Sequence, residues 1–143
     1  MVARMDRDVI AQPGVKWLIV FEGINDLGGG QSSAAEIIAA YDQTITRAHD
    51  HGIKVYGATI TPYAECFYWT EEGEAKRAAI NDWIRHSGHF DAVLDFDQIA
   101  RDPANPLNPL KLLPAYDTGD KLHLNQTGLR ALAESIDLTL FSE

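Results

Sequence analysis

The chain has little of several features that mark specialised classes of protein. Its 143 residues include one cysteine, Cys66, so no disulfide can form within the chain. Lysine and arginine total 12 against 21 acidic residues, a net charge of −9 without a basic patch, so nucleic acid is not an expected partner. The longest apolar run, from Trp17 to Phe21, is far below the roughly 18–20 residues that span a membrane, so no membrane partner is expected either.

A secretion signal is also missing from the first ten residues, which carry four charges and no apolar stretch. No signal peptide is therefore predicted. The sequence as it stands is typical of a cytoplasmic protein, and the native compartment is left open. The composition, 45% hydrophobic and 23% charged, is typical of a globular protein. At this length we predict a single domain over residues 1–143.

Short apolar runs alternate with segments of helical periodicity. This alternation predicts an α/β fold, a three-layer sandwich around a short parallel sheet, with ligands at the carboxyl ends of the strands. Strands are predicted within residues 15–22, 53–62 and 91–97, and helices near 2–10, 33–51, 70–87 and 126–141.

The helical periodicity also predicts which faces are buried. In the third helix the inner face is Ala75, Ala78, Ala79, Trp83 and Ile84, and in the last it is Leu129, Leu132, Ile136 and Leu140. Four of the six prolines lie in residues 101–119, which predicts a long ordered loop of the kind that is often functional.

Two short motifs lie where strand ends are predicted. Asn25 follows the first strand in Gly23-Ile24-Asn25-Asp26, and its amide could donate to a developing oxyanion, although Asn-Asp is also a common turn pair. Asp120 precedes His123 by three residues, so its carboxylate could fix the tautomer of the imidazole, although such pairs also serve as helix caps.

Together these motifs resemble the SGNH (GDSL-type) hydrolases, a family of esterases, lipases and acylhydrolases. The similarity covers about residues 6–141, including GATITP and DKLHLNQTG. It implies a flavodoxin-like sheet, His123 and Asp120 as two members of a catalytic triad, and Asn25 as an oxyanion-hole donor on a loop with Gly23 and Asp26.

The family block that carries the nucleophile, a Gly-Asp-Ser turn, has no match here. A βαβ unit needs about 30 residues, and 24 precede Asn25, so the chain resembles a truncated, C-terminal part of the family fold. Substitute nucleophiles are Ser32 and Ser33, which follow the glycines after Asn25, and Cys66, which a buried structural role explains better.

The expected function is therefore hydrolysis of a small ester, weak or absent because the serine is missing. The alternative is a non-catalytic remnant that serves only as a binding or dimerisation module. A nucleotide-binding fold is disfavoured because the run Gly28-Gly29-Gly30 lacks the G-x-G-x-x-G spacing. No metal or other cofactor is expected, since His49 and His51 alone cannot supply three or four ligands.

The resemblance also implies that strands are missing beside the first strand of this chain. The strand from Trp17 to Phe21 would then be an edge with apolar residues on both faces, which invites pairing with another chain. We expect a homodimer through this edge, with residues 1–12 covering one face.

Overall fold

Three parallel strands form the centre of the molecule. The computed structural model describes residues 1–29, 32–107 and 110–142, so Gly30 of the glycine run and Pro109 of the proline-rich loop lie outside the described residues. Within them the sheet has the order β1-β2-β3 and every pairing is parallel. The strands are β1 (Trp17–Val20), β2 (Lys54–Ala58) and β3 (Ala92–Leu94).

Helices cover both faces of this sheet, as the predicted three-layer sandwich requires. Val55 of β2 faces the core formed with α2 and α3, whereas Tyr56 and Ala58 face the core formed with α4 and α5. Alternation of this kind is what a strand buried on both faces produces. The helices are α1 (Ile24–Gly28), α2 (Ala34–His49), α3 (Glu71–His86), α4 (Phe96–Ala100) and α5 (Gln126–Glu134).

The caps of the two long helices agree with their sequence signals. Ser33 and Glu36 form a reciprocal capping box at the start of α2, in which each side chain bonds the backbone N–H of the other residue. Thr70 caps α3 by accepting a hydrogen bond from the N–H of Gly73.

The N-terminal segment is helical, but not as a regular α-helix. It forms a 3₁₀ turn over Val2–Arg4 and a π-helical turn over Asp6–Ile10. Met5 is buried in the core beside α2, and Met1, Val9 and Ile10 pack against it. The segment therefore covers one face, as expected.

The predicted inner face of α3 was wrong for its alanines. Ala75, Ala78 and Ala79 are exposed, and the buried face instead carries Glu74, Arg77 and Asn81 with Ile80 and Ile84. The apolar pattern assigned the wrong face of α3 to the core, because the buried charges of this helix are paired with one another and with neighbouring elements.

The last helix is shorter than its periodicity predicts. α5 ends at Glu134, and a separate 3₁₀ turn follows over Leu138–Phe141, where the Asp137 side chain accepts a hydrogen bond from the N–H of Thr139. Leu129, predicted to face inward, is exposed, whereas Leu132 is buried. No helix in the described ranges is long and apolar enough to cross a bilayer.

Short contacts hold the described part of the loop, residues 101–107 and 110–119. Arg101 pairs with Leu112 and Asp117 with Leu124 in isolated antiparallel bridges, and Pro114–Tyr116 forms a 3₁₀ turn between them. This loop leads directly into the Asp120–His123 motif.

Candidate active site

Asp120 and His123 are in direct contact on the turn before α5. Nδ1 of His123 lies 2.6 Å from Oδ2 of Asp120. Because a carboxylate only accepts hydrogen bonds, this contact puts the imidazole proton on Nδ1 and leaves Nε2 free to take up a proton. The His123 side chain is 71% exposed, so a small molecule can reach it.

The turn holds the Asp120 carboxylate with several donors. Its Oδ1 accepts hydrogen bonds from the backbone N–H groups of His123 at 2.8 Å and Leu122 at 3.0 Å, and from the Thr118 hydroxyl at 3.0 Å. The His123 side chain first, and then these backbone donors, hold the pKa of Asp120 far below its usual range. Asp120 is therefore ionised when it faces His123.

Two further polar side chains shape the same turn. Asp117 accepts hydrogen bonds from the N–H groups of Gly119 and Lys121, and its carboxylate pairs with the Lys121 ammonium at 2.7 Å. This support matters because Lys121 has a φ of 66°, a left-handed conformation that is unfavourable for a side chain of its kind. Asn125 donates to the carbonyls of Ala115 and Asp117 and caps α5.

Asn25 lies in the first turn of α1, directly after the carboxyl end of β1, and is exposed. Gly23, the N-cap residue of this helix, has a φ of 114°, and a Cβ at Gly23 would come within 2.8 Å of the Tyr41 hydroxyl. Only glycine fits both requirements. Asp26, the neighbour of Asn25, is also exposed.

Tyr68, which the sequence reading passed over, lies between the two motifs. Its ring packs so closely on Gly28 of α1 that a Cβ there would come within 2.1 Å of it. Its hydroxyl is buried without a hydrogen bond of standard geometry. Burial, followed by the Cys66 thiol and the Asp120 carboxylate, raises the pKa of Tyr68 to about 12. The aromatic run Phe67-Tyr68-Trp69, in the segment between β2 and α3, was the available signal.

The two candidate serines are placed differently. Ser33 is occupied by its capping box, since its hydroxyl donates to Glu36 Oε2 at 2.8 Å and accepts from the Glu36 N–H at 3.2 Å. Ser32 lines a cavity of about 260 Å³ beside the Asn25 loop, and three acidic residues, Glu22, Asp26 and Glu36, line the same cavity. Negative charge in the cavity opposes the formation of an oxyanion there.

Cys66 is buried in the core shared with α2 and α3. The Cys66 thiol and the Asp120 carboxylate both raise the pKa of Tyr68, so both lie near that side chain. Within the described residues, no serine, threonine or cysteine side chain forms a hydrogen bond with the His123 imidazole.

A buried ionic network holds the segment that carries Tyr68. Arg77 of α3 bonds the carbonyl of Ile60 at 2.9 Å and the carboxylates of Glu74 and Asp97, while Asn81 bonds both the N–H and the carbonyl of Ile60. The Ile60 side chain lies against Gly23, so this network also supports the Asn25 loop.

Comparisons with known proteins identify the family of this chain. The profile of the GDSL-like lipase/acylhydrolase family matches residues 1–131. No curated protein matches the chain.

Solved structures with the same fold are remote in sequence. A protein of Bacteroides fragilis proposed to be an acylhydrolase aligns with 19% identity and a TM-score of 0.81 over 98% of this chain and 67% of its own. A GDSL-like lipase of Bacteroides thetaiotaomicron aligns with 20% identity and a TM-score of 0.80 over 98% of this chain and 68% of its own.

A catalytic mutant of an acetylxylan esterase from Geobacillus stearothermophilus aligns with 19% identity and a TM-score of 0.68 over 93% of this chain and 62% of its own. The chain thus spans about two thirds of the length of these structures. The family resemblance noted from the two motifs is confirmed: this chain belongs to the GDSL-like lipase/acylhydrolase family.

Proposed function

We propose that the chain hydrolyses small carboxylic esters, with His123 as general base and Asp120 as the group that orients it. The observation that carries this proposal is the 2.6 Å contact between Nδ1 of His123 and an ionised Asp120. Membership of a family of lipases and acylhydrolases supports the same chemistry.

The proposed reaction uses water as the attacking group. Nε2 of His123 takes a proton from water as its oxygen attacks the ester carbonyl, and Asp120 stabilises the imidazolium that forms. Asn25 donates its amide N–H to the oxyanion, and His123 then returns the proton to the departing alcohol. Turnover by this route is weak, because a missing nucleophile in such a triad costs several orders of magnitude.

The absence of a working serine is part of the proposal. Ser33 is committed to its helix cap, Ser32 shares its cavity with three acidic residues, and Cys66 is buried. These contacts support a site that has a base and an oxyanion donor without a nucleophile of its own.

Hydrolysis of a short-chain nitrophenyl ester by wild type, His123→Ala and His86→Ala tests the proposal. His86 is a matched control, since it also bonds an aspartate, Asp82, and is 70% exposed, but lies at the end of α3. We expect His123→Ala to remove most of the turnover and His86→Ala to leave it unchanged. If the two substitutions had equal effects, any exposed histidine would account for the turnover, and the proposal would be contradicted.

A binding or dimerisation module is the second candidate function. Among the described residues β1 has a partner strand on one side only, which favours it. It would be preferred if wild type and His123→Ala hydrolysed esters at the same rate.

A further inference from the structure

The turn before α5 contains a second aspartate, Asp117, to which the proposed reaction gives no role. Its side chain is only 4% exposed, although the next three residues of the turn are exposed. Its Oδ1 accepts two backbone N–H groups, that of Gly119 at 2.8 Å and that of Lys121 at 3.0 Å, while its Oδ2 lies 2.7 Å from the Lys121 ammonium. These donors hold the carboxylate in one orientation.

The turn that carries the candidate base is closed at both of its ends. Asp117 and Leu124 form an antiparallel bridge, and the N–H of Thr118 donates to the carbonyl of His123 at 3.0 Å. Residues 118–123 therefore form a loop with fixed ends. The backbone angles inside this loop decide how Asp120 and His123 meet.

One of these angles, at Lys121, is unfavourable. Its φ of 66° is left-handed, which costs free energy in a residue with a Cβ. This angle directs the chain so that the N–H groups of Leu122 and His123 both reach Oδ1 of Asp120, at 3.0 and 2.8 Å. The other oxygen, Oδ2, is then left for Nδ1 of His123 at 2.6 Å. With Lys121 in the right-handed region, these N–H groups would turn away from the carboxylate.

We propose that Asp117 is a positioning residue for the pair of Asp120 and His123. By accepting the N–H of Lys121 it holds that residue in the left-handed conformation, and this conformation aims the Asp120 carboxylate at the imidazole. The inference rests on the proposed function, in which His123 is the general base.

Asp117 acts through the position of its oxygens and not through its charge. The Lys121 ammonium neutralises that charge, whereas one oxygen, Oδ1, accepts both backbone N–H groups. Burial raises the pKa of Asp117, but the Lys121 ammonium and these N–H groups outweigh burial and hold it below its usual range. The side chain is therefore ionised and accepts from all of its donors.

Gly119 shows why Lys121 is the residue that needs support. The φ of Gly119 is 112°, which glycine adopts at little cost because it lacks a Cβ. Lys121 has no such freedom, and Asp117 bonds both its backbone N–H and its side chain. The effect of Asp117 on the dyad therefore passes through Lys121.

Two conservative substitutions separate position from charge. Asp117→Asn keeps Oδ1 for the two N–H groups and loses the charge, whereas Asp117→Glu keeps the charge and moves the oxygens away from those groups. We expect Asp117→Asn to retain most of the His123-dependent ester turnover. Asp117→Glu and Asp117→Ala should lower kcat at least about tenfold with little change in KM. A role through charge reverses the order of the Asn and Glu variants and would overturn the proposal.

Asp137→Ala is the matched control for these variants. Asp137 also accepts the N–H of the residue two positions on, Thr139, but it lies after α5 and outside the loop. Its removal should leave turnover unchanged. An equal loss of kcat in Asp137→Ala and Asp117→Ala would contradict a specific role for Asp117.

A double variant tests the link through Lys121. Glycine adopts the left-handed conformation without support, so adding Lys121→Gly to Asp117→Ala should restore part of the lost kcat. If Asp117→Ala does not fold, the same rescue is measured on Asp117→Glu. Failure of the rescue in a folded double variant would show that Asp117 does not act through the backbone of Lys121.

The tautomer of His123 is a readout that needs no turnover. Long-range ¹H–¹⁵N NMR spectra at about pH 8, where an ordinary imidazole is neutral, should show the proton on Nδ1 in wild type and Asp117→Asn. In Asp117→Ala and Asp117→Glu the Nε2–H form should appear while the melting temperature changes little. The Nδ1–H form in every variant would overturn the proposal. Wild type that has this form but no His123-dependent turnover would contradict the proposed function alone.

Discussion

At the scale of single residues, the contacts of Asp120 decide what His123 can do. The carboxylate is ionised and held by the backbone of its own turn, so the imidazole meets it in a fixed orientation. Orientation of this kind, and not proximity alone, makes an exposed histidine useful as a base.

Replacing Asp120 with asparagine tests this role. Asp120→Asn keeps an oxygen for the backbone donors but can present its NH₂ to Nδ1 of His123, which favours the wrong tautomer. We expect the His123-dependent turnover to fall at least about tenfold while the melting temperature changes little. The matched variant Asp82→Asn, at the partner of His86, should leave turnover unchanged; an equal loss in both would contradict the role.

The contact between Gly28 and Tyr68 allows a second test on single residues. Gly28→Ala places a Cβ inside the Tyr68 ring, so we expect a loss of about 1–3 kcal/mol in the free energy of unfolding. Adding Tyr68→Leu, which removes the aromatic edge, should recover part of that loss in urea unfolding. A Gly28→Ala variant as stable as wild type would mean that the ring does not lie against α1.

At the scale of elements, the buried charges of α3 join it to the ends of β2 and β3. Arg77 of α3 bonds Asp97 at 2.7 Å, and Arg85 bonds both Asp95 and Asp97. Thr59, just after β2, donates to Asp95 at 3.0 Å and accepts the N–H of Asp97. Hydrogen bonds from Arg77 and Asn81 of the same helix hold Ile60, at the start of the segment that leads to Tyr68.

Removing Arg77 leaves the buried Glu74 carboxylate without its ion partner and takes one of three arginines from Asp97. We expect Arg77→Ala to lower the free energy of unfolding by about 3–5 kcal/mol in urea titrations. Lys76→Ala, one residue earlier and paired with the exposed Glu72, should change it by about 0.5 kcal/mol or less. A loss at Arg77 no larger than at Lys76 would show that the network contributes nothing to stability.

The same network explains which parts of the fold the sequence could predict. Strand and helix positions follow from runs and periods that local chemistry controls, so β1, β2 and the caps of α2 agree with expectation. The inner face of α3 depends on ion partners such as Asp97, which lie outside the helix. A hydrophobicity pattern assumes that charged residues are exposed, so it assigned the wrong face of α3 to the core. α5 ends before a new turn that Asp137 caps, and the regular spacing of the leucines gives no sign of this interruption.

The candidate site, too, could be predicted only in part. Asp120 and His123 are three residues apart, so their contact could be anticipated from spacing. The position of Tyr68 against α1 could not, because it depends on the close approach of Gly28, which is distant in sequence.

At the scale of the whole molecule, paired carboxylates control the response to acid. Arg77, Arg85 and backbone donors outweigh burial and keep the pKa values of Asp95 and Asp97 below their usual range. An unfolded aspartate titrates near pH 3.9, so the unfolded chain binds more protons than the folded one around that pH. Stability from these groups is therefore complete above about pH 5 and is lost as the pH falls below about 4.

Urea unfolding at pH 7, 5 and 3.5 measures this loss. We expect the midpoint to fall between pH 5 and 3.5, and to do so at high salt as well, because buried ion pairs are screened little. An equal midpoint at pH 7 and 3.5 would contradict the pKa shifts of Asp95 and Asp97.

The measurement that most directly tests the proposed site is the intact mass of the protein after treatment with a fluorophosphonate, beside iodoacetamide for Cys66. A base and an oxyanion donor without a nucleophile should yield no fluorophosphonate adduct, while ester turnover stays weak and dependent on His123. A single stoichiometric adduct on Ser32 or Ser33, or inactivation by alkylation of Cys66, would contradict this and identify the residue that attacks.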